Sequence, residues 1–309
     1  MMRAGIDYSI RMAIGLAILA CCSFITFETT GNADGIKVER VFGPEVPTGP
    51  YKHPSCFDEL DNGDLYLVYY GGQGEYAGGT ALFGSRLKKG TGIWSEPEMI
   101  AGNPVRSLGN GVVWQAPDGK VWLFYVTRFG DTWSTSRIKA KISEDGAHTW
   151  SDSFMVTLEE GAMVRGHPIV LHNGHYLLPI YHETGNDTEF VGSDTTSLFL
   201  NFDPGMNTWK ETGRIRSKTG HLQPAVVQLS DRHLIACCRR GGNYEPTDNG
   251  YTIRSESFDG GWTWKRGEDS EFKNPNSAVD LIRLTNGHLF LVYNNNMNDR
   301  TPLTGAVST

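Results

Sequence analysis

Ser257-Phe258-Asp259-Gly260-Gly261-Trp262-Thr263-Trp264 is the stretch on which the reading of this chain turns. Asp-Gly-Gly is turn chemistry. The carboxylate bonds backbone N–H groups just ahead of it, and glycine accepts positive φ without steric cost. Thr-Trp is strand chemistry. The segment reads as a hairpin tip whose Trp folds back onto its sheet. Ser143-Glu144-Asp145-Gly146-Ala147-His148-Thr149-Trp150 repeats the pattern, with Ala147 replacing one glycine. Looser copies are Asp203 to Trp209, one residue longer, and Ser85 to Trp94, which keeps only Ser, Gly and Trp.

Spacing turns the motif into an architecture. The tryptophans stand at 94, 150, 209 and 264, in steps of 56, 59 and 55. A second marker keeps the same interval. Asn62-Gly63, Asp118-Gly119, Asn173-Gly174 and Asn286-Gly287 each open an apolar strand, and Ser230-Asp231 fills the gap between the last two. Self-similarity at such a period indicates a propeller or array in which each repeat is one small antiparallel sheet. It overrides the two-domain expectation that 309 residues would otherwise carry. The 37 glycines and 14 prolines supply the turns an all-β array needs.

A net charge of −7 and the lack of a basic tract argue against nucleic acid as a partner. An anionic ligand then needs a local cationic pocket, because the global field repels it. Residues 1–33 read as a signal peptide: Arg3 and Arg11, the apolar run Met12 to Phe27, then polar Glu28 to Asp34, with a cut after Ala33. An N-terminal anchor and a lipoprotein cysteine at Cys21 or Cys22 are the alternatives. The apolar run is short for a stable membrane span, and export to the periplasm or the exterior is common to all three. Residues 34–50 form a lead-in and 51–309 the repeats. Cys56, Cys237 and Cys238 do not make a disulfide framework and read as buried small apolar residues. No metal-ligand spacing or cofactor motif appears.

The polar loops Gly71 to Gly79, Thr127 to Ser136, His182 to Ser193, Gly241 to Gly250 and Asn294 to Arg300 recur at the repeat interval. In a propeller they line one mouth of the central channel. Arg165, His167, His182, Glu183, Asn274 and Asn276 stand at strand ends that face that mouth, with Trp133, Tyr181 and Tyr244 as aromatic candidates. A fifth Asp-Gly-Trp hairpin is due beyond Thr309, and Leu303 to Thr309 reads as the strand leading into it.

The S-x-D-x-G-x-T-W element is the Asp-box. From about Tyr51 to Ser308 the chain resembles the bacterial sialidase (neuraminidase) superfamily, in its BNR-repeat branch. Gly84-Ser85-Arg86-Leu87 with Trp94-Ser95-Glu96-Pro97, Leu222-Gln223-Pro224 with Cys238-Arg239, Asn274-Pro275-Asn276-Ser277 with Asp280, and Arg300-Thr301-Pro302-Leu303 carry the likeness in order. The resemblance implies a six-bladed β-propeller whose C-terminal blade or blades lie beyond this sequence. It implies that the Asp-boxes are peripheral and structural. It also implies an exo-α-sialidase-like glycoside hydrolase, working as a monomer on sialoglycoconjugates without metal or cofactor.

Sialidases grip the sugar carboxylate with three arginines, attack with a Tyr assisted by a Glu, and use an Asp as general acid/base. Carried over, the resemblance makes Arg239 and Arg300 clamp arginines and puts Glu75 where the acid/base Asp stands. The clamp's first arginine is replaced by Lys52-His53-Pro54, so His53 is a candidate anion contact and Arg165 a candidate third cation. Gln223 occupies the place of the assisting Glu, and the nucleophilic Tyr falls beyond residue 309. Two other readings use the same residues. One is a non-catalytic carbohydrate-binding propeller. The other is a glycosidase or lyase for another acidic sugar, with His182 and Glu183 as its acid–base pair.

Overall fold

The computed structural model describes residues 24–28, 40–188 and 190–308, and these form five antiparallel sheets arranged as propeller blades. Strand β1 (Phe24–Glu28) joins the last blade, and the others follow chain order. Blade one is β2 (Tyr51–Glu59), β3 (Leu65–Gly72), β4 (Ala81–Leu87) and β5 (Glu98–Ala101). Blade two is β6 (Leu108–Gln115), β7 (Val121–Arg128), β8 (Ser136–Ser143) and β9 (Phe154–Met155). Blade three has a split first strand, β10 (Ala162–Val164) and β11 (Ile169–Val170), then β12 (Tyr176–His182), β13 (Thr196–Asp203) and β14 (Thr208–Glu211). Blade four is β15 (His221–Gln228), β16 (Leu234–Arg240), β17 (Tyr251–Ser257) and β18 (Glu268–Lys273). Blade five is β19 (Asp280–Arg283), β20 (Leu289–Asn294) and β21 (Leu303–Ser308), with β1 on the outer side of β21.

Within each blade the strands pair in sequence order, and the first strands of successive blades face one another across the centre. Blades pack face to face, so a second strand is buried on both sides. This is why residues 121–126 are an unbroken apolar run instead of an alternation, with every residue of the strand buried. The export segment expected over residues 1–33 lies partly outside the described residues. Within it, Phe24 to Glu28 lie antiparallel to β21, with Phe24 opposite Ser308 and Glu28 opposite Thr304. No helix among the described residues is long and apolar enough to cross a membrane.

The two full Asp-boxes join the third and fourth strands of blades two and four and fold alike. Asp259 accepts from Ser257 Oγ at 2.8 Å, from the Thr263 amide at 2.9 Å and from Thr263 Oγ1 at 2.5 Å. Asp145 accepts from Ser143 Oγ at 2.7 Å, from the Thr149 amide at 2.8 Å and from Thr149 Oγ1 at 2.6 Å. Hydrogen bonds from Thr149, by side chain and amide, hold the Asp145 carboxyl well below the usual carboxylate range. Ala147 takes the place of Gly261 at φ 65, against 93 for the glycine, so the Ala-bearing copy keeps the left-handed turn.

The tryptophans do not do what their local sequence suggests. Instead of folding back on their own sheet alone, they pack on the preceding blade. Trp264 stacks on Phe199 of blade three at 4.5 Å. Trp209 meets Trp122 of blade two edge-on at 6.0 Å, and Trp150 meets Tyr66 of blade one at 6.2 Å. The Asp-box therefore fixes an indole that seals one blade against the next, and the repeat interval in the sequence is the interval of those seams.

Candidate active site

The five loops between second and third strands open on one end of the ring. Together with the upper ends of the first strands they enclose a cavity of about 510 Å³. Glu75, Trp133, Glu183, Tyr244 and Arg300 reach it from the loops, and Arg239 from the end of β16. Tyr51, His53, Asn110, Arg165 and Gln223 reach it from the first strands.

The first strands aim these side chains by breaking their ladders. Register shifts fall between His53 and Ser55, between Gly109 and Val112, and between Leu222 and Pro224. Such bulges re-aim a side chain at the cost of local pairing. Asn110 at φ 48 and Gln223 at φ 52 take the left-handed region there, as does Asn276 at φ 59 beside the clamp. Non-glycine residues hold that conformation only where their surroundings impose it. Each is tied down: Asn110 donates to Tyr181 Oη at 3.1 Å, Gln223 accepts from Arg239, and Asn276 donates to the Gly242 carbonyl at 3.1 Å.

Arg239 is held by three acceptors, Asn276 Oδ1 at 2.7 Å, Tyr244 Oη at 2.7 Å and Gln223 Oε1 at 3.3 Å. Arg300 donates to the Asn276 carbonyl at 3.1 Å and lies 5.1 Å from the centre of the Tyr244 ring. The two guanidiniums thus flank one tyrosine and share one asparagine, an arrangement that keeps two like charges side by side. Arg165 donates to the Ser55 carbonyl at 3.2 Å. The neighbouring acids that could have drawn it away are taken: Glu159 pairs with Arg214 at 2.6 Å and Glu160 with Arg137 at 2.9 Å.

Two carboxyls face these arginines. Glu75 accepts from Tyr51 Oη at 2.5 Å and from Trp133 Nε1 at 3.0 Å. Glu183 lies deep in the cavity. Burial pushes its carboxyl up to about 7, against the pull of Arg239 and with a further push from the Glu75 charge. Burial also raises the Tyr70 phenol, and Glu75 adds to that effect.

Of the residues singled out in the sequence, Glu75, Arg239, Arg300, Arg165, His53 and Glu183 meet in this one cavity. His182 does not. Side chains alternate along β12, so Tyr181 and Glu183 face the cavity while His182 turns to the other side, where its Nε2 is 3.5 Å from Glu159. The expected His182–Glu183 pair is therefore split by the pleat. His53 is present, but burial lowers its pKa, and Arg165, Arg300 and Arg239 lower it further against the pull of Glu75. Burial and these arginines favour its neutral form. Lys52, on the opposite face of β2, donates to the Gly49 carbonyl at 2.6 Å. Among the aromatic candidates Trp133 and Tyr181 are buried, and Tyr244 keeps an exposed ring. Tyr51, Tyr70 and Asn110 were missed. The only sequence signal for Asn110 is a lone polar residue between Gly109 and Gly111 in an otherwise apolar strand.

The BNR repeat-like domain model matches residues 63–309. The chain belongs to the BNR-repeat family. Solved structures with the same fold include the Hadza microbial sialidase Hz136, 14% identical with a TM-score of 0.68, over 84% of this chain and 56% of that one. A mutant of NanB sialidase from Streptococcus pneumoniae is 11% identical with a TM-score of 0.69, over 87% of this chain and 60% of that one. Trypanosoma rangeli sialidase in complex with sialic acid is 15% identical with a TM-score of 0.64, over 93% of this chain and 49% of that one. The chain thus spans roughly half to three fifths of the length of these sialidases. A comparison with curated protein sequences finds no match. This BNR-repeat chain shares its propeller fold with those sialidases and carries a cationic, carboxyl-bearing cavity at one mouth.

Proposed function

We propose that the BNR-repeat chain forms most of an exported sialidase-type glycoside hydrolase that releases a terminal acidic sugar, sialic acid or a relative, from glycans. The observation that carries this reading is the meeting of Arg165, Arg239 and Arg300 with Glu75 and Glu183 in one cavity of an otherwise acidic protein. Paired guanidiniums match a sugar carboxylate bidentately. A carboxyl that keeps its proton close to neutral pH can hand it to a leaving glycosidic oxygen and take it back from water, which assigns acid/base work to Glu183. Glu75 is the anionic partner, with both oxygens occupied by Tyr51 and Trp133. In this reading the intact ring has six blades.

One observation favours a second reading. Gln223, at the place of the nucleophile-assisting Glu, cannot take a proton, and it spends its oxygen on Arg239. That suits a lectin-like propeller that binds the acidic sugar without cleaving it. Hydrolysis of a fluorogenic sialoside, followed beside binding of free sialic acid, separates the two. Release that disappears in Arg239→Ala and Glu183→Gln supports the hydrolase. Binding without release supports the lectin, and neither would remove both readings.

A further inference from the structure

Beneath the cavity the first strands bring together a second titratable cluster that the proposed hydrolysis does not use. Cys56 lies on β2, three residues past His53, and its Sγ is 3.2 Å from His167 Nε2. The split in the first strand of blade three creates this contact. Between β10 and β11 the residues Arg165 to Pro168 leave the ladder, so Arg165 turns to the cavity and His167 to β2. Asp58, on the same face of β2, and Asp280, at the start of β19, add negative charge around His167, while Arg165 adds positive charge near Cys56. Cys56 is buried at 6% exposure, as its sequence context suggests, but it carries an imidazole against its sulfur.

Burial by itself would raise a thiol and lower an imidazole. The pair goes the other way. Against desolvation, His167 holds the Cys56 thiol below its ordinary value, and Cys56 with Asp58 raises His167 to about 9. Cys237 and Cys238 lack such an imidazole partner among the described residues. They point to opposite faces of β16 into separate apolar clusters, and burial pushes Cys237 up to about 12 and Cys238 upward as well.

We propose that Cys56 and His167 form a thiolate–imidazolium pair and that, among the described cysteines, Cys56 is the site of modification by small electrophiles and peroxides. With an alkyl halide the thiolate sulfur forms the S–C bond, the carbon–halogen bond breaks, and halide leaves. With hydrogen peroxide the sulfur attacks one oxygen and the O–O bond breaks. The departing hydroxide takes the His167 proton to become water. Sulfur is oxidised by two electrons to a sulfenic acid, and the peroxide is reduced. Ser55, the neighbour of Cys56, carries the carbonyl that holds Arg165, so a group added at Cys56 lies next to one of the cavity's guanidiniums.

The test is alkylation of the folded protein with iodoacetamide across a pH series, with the labelled peptides resolved by mass spectrometry. The expected result is labelling of Cys56 at about pH 6, where an ordinary thiol is almost wholly protonated, while Cys237 and Cys238 stay unlabelled. In His167→Gln the rate at that pH should fall at least ~10-fold, one pKa unit's worth. Should that variant fail to fold, the ultraviolet thiolate absorbance of the wild type minus that of Cys56→Ser gives the same answer: present under mildly acidic conditions, or absent. Cys56 that labels only on unfolding, an unchanged pH profile in His167→Gln, or no thiolate absorbance would each overturn the proposal.

Discussion

Replacing Glu183 by glutamine should change the pH dependence of stability in a defined direction. The Glu183 carboxyl rises from its ordinary 4.5 to about 7 on folding. Below 4.5 both folded and unfolded chains hold the proton, and the residue contributes nothing to the pH dependence. Between the two values the unfolded chain ionises while the folded one does not, so stability falls as pH rises, and the loss levels off above about 7. At about 1.4 kcal/mol per unit, a shift of this size sets an upper bound of about 3 kcal/mol. The residue keeps part of its surface open to the cavity, and solvent screening there brings the expected loss to about 2 kcal/mol. For a chain of this size that is a melting temperature about 4 °C lower at about pH 8 than at about pH 5, relative to the change in the variant. The glutamine side chain keeps the volume and never ionises, so Glu183→Gln should lack this part of the decline and melt above the wild type at the alkaline end of the series. Parallel melting curves for the two proteins across the series would show that Glu183 ionises normally, and the assignment of acid/base work to it would be wrong.

Other expectations follow from single contacts. Arg239→Lys should weaken binding of an acidic sugar nearly as much as Arg239→Ala, about 100-fold, because an ammonium cannot satisfy Asn276, Tyr244 and Gln223 and still grip a carboxylate; calorimetric titration checks this. Asp259→Ala removes an acceptor used three times in one turn and should cost about 2 kcal/mol in chemical denaturation without altering ligand binding. Trp264→Ala opens the seam between blades three and four and should cost about 3 kcal/mol, read as a drop in denaturation midpoint. His182→Ala should leave sugar binding unchanged, since its imidazole faces Glu159 and not the cavity; a titration matching the wild type is the expected result.

The repeat was legible because its cause is local. Asp259, Gly260, Gly261 and Thr263 make their turn within eight residues, and the same chemistry returns around Asp145. What each Trp touches was not legible. Phe199 and Trp264 lie in different repeats, and only the assembled ring shows that the indole seals a seam. The cavity was partly legible through the family resemblance, which made Arg239 and Arg300 clamp arginines, and the two do flank Tyr244. The choice between His182 and Glu183 depended on the phase of one strand, which a two-residue sequence window leaves open. Tyr51 and Glu75 are 24 positions apart, and Cys56 and His167 are 111 apart. Neither pair has a sequence signature: the first forms only when blade one folds its loop over its first strand, and the second only when blades one and three meet.

The most direct test of the account is calorimetric titration of the protein with sialic acid and, separately, with its methyl ester, in wild type and in Arg300→Ala. If the cavity is a carboxylate-gripping sugar site, the free acid binds, the ester binds at least ~10-fold more weakly through loss of a charge-assisted pair, and Arg300→Ala abolishes the difference. Equal binding of acid and ester, or a difference that survives in Arg300→Ala, would contradict the claim that these arginines recognise an acidic sugar.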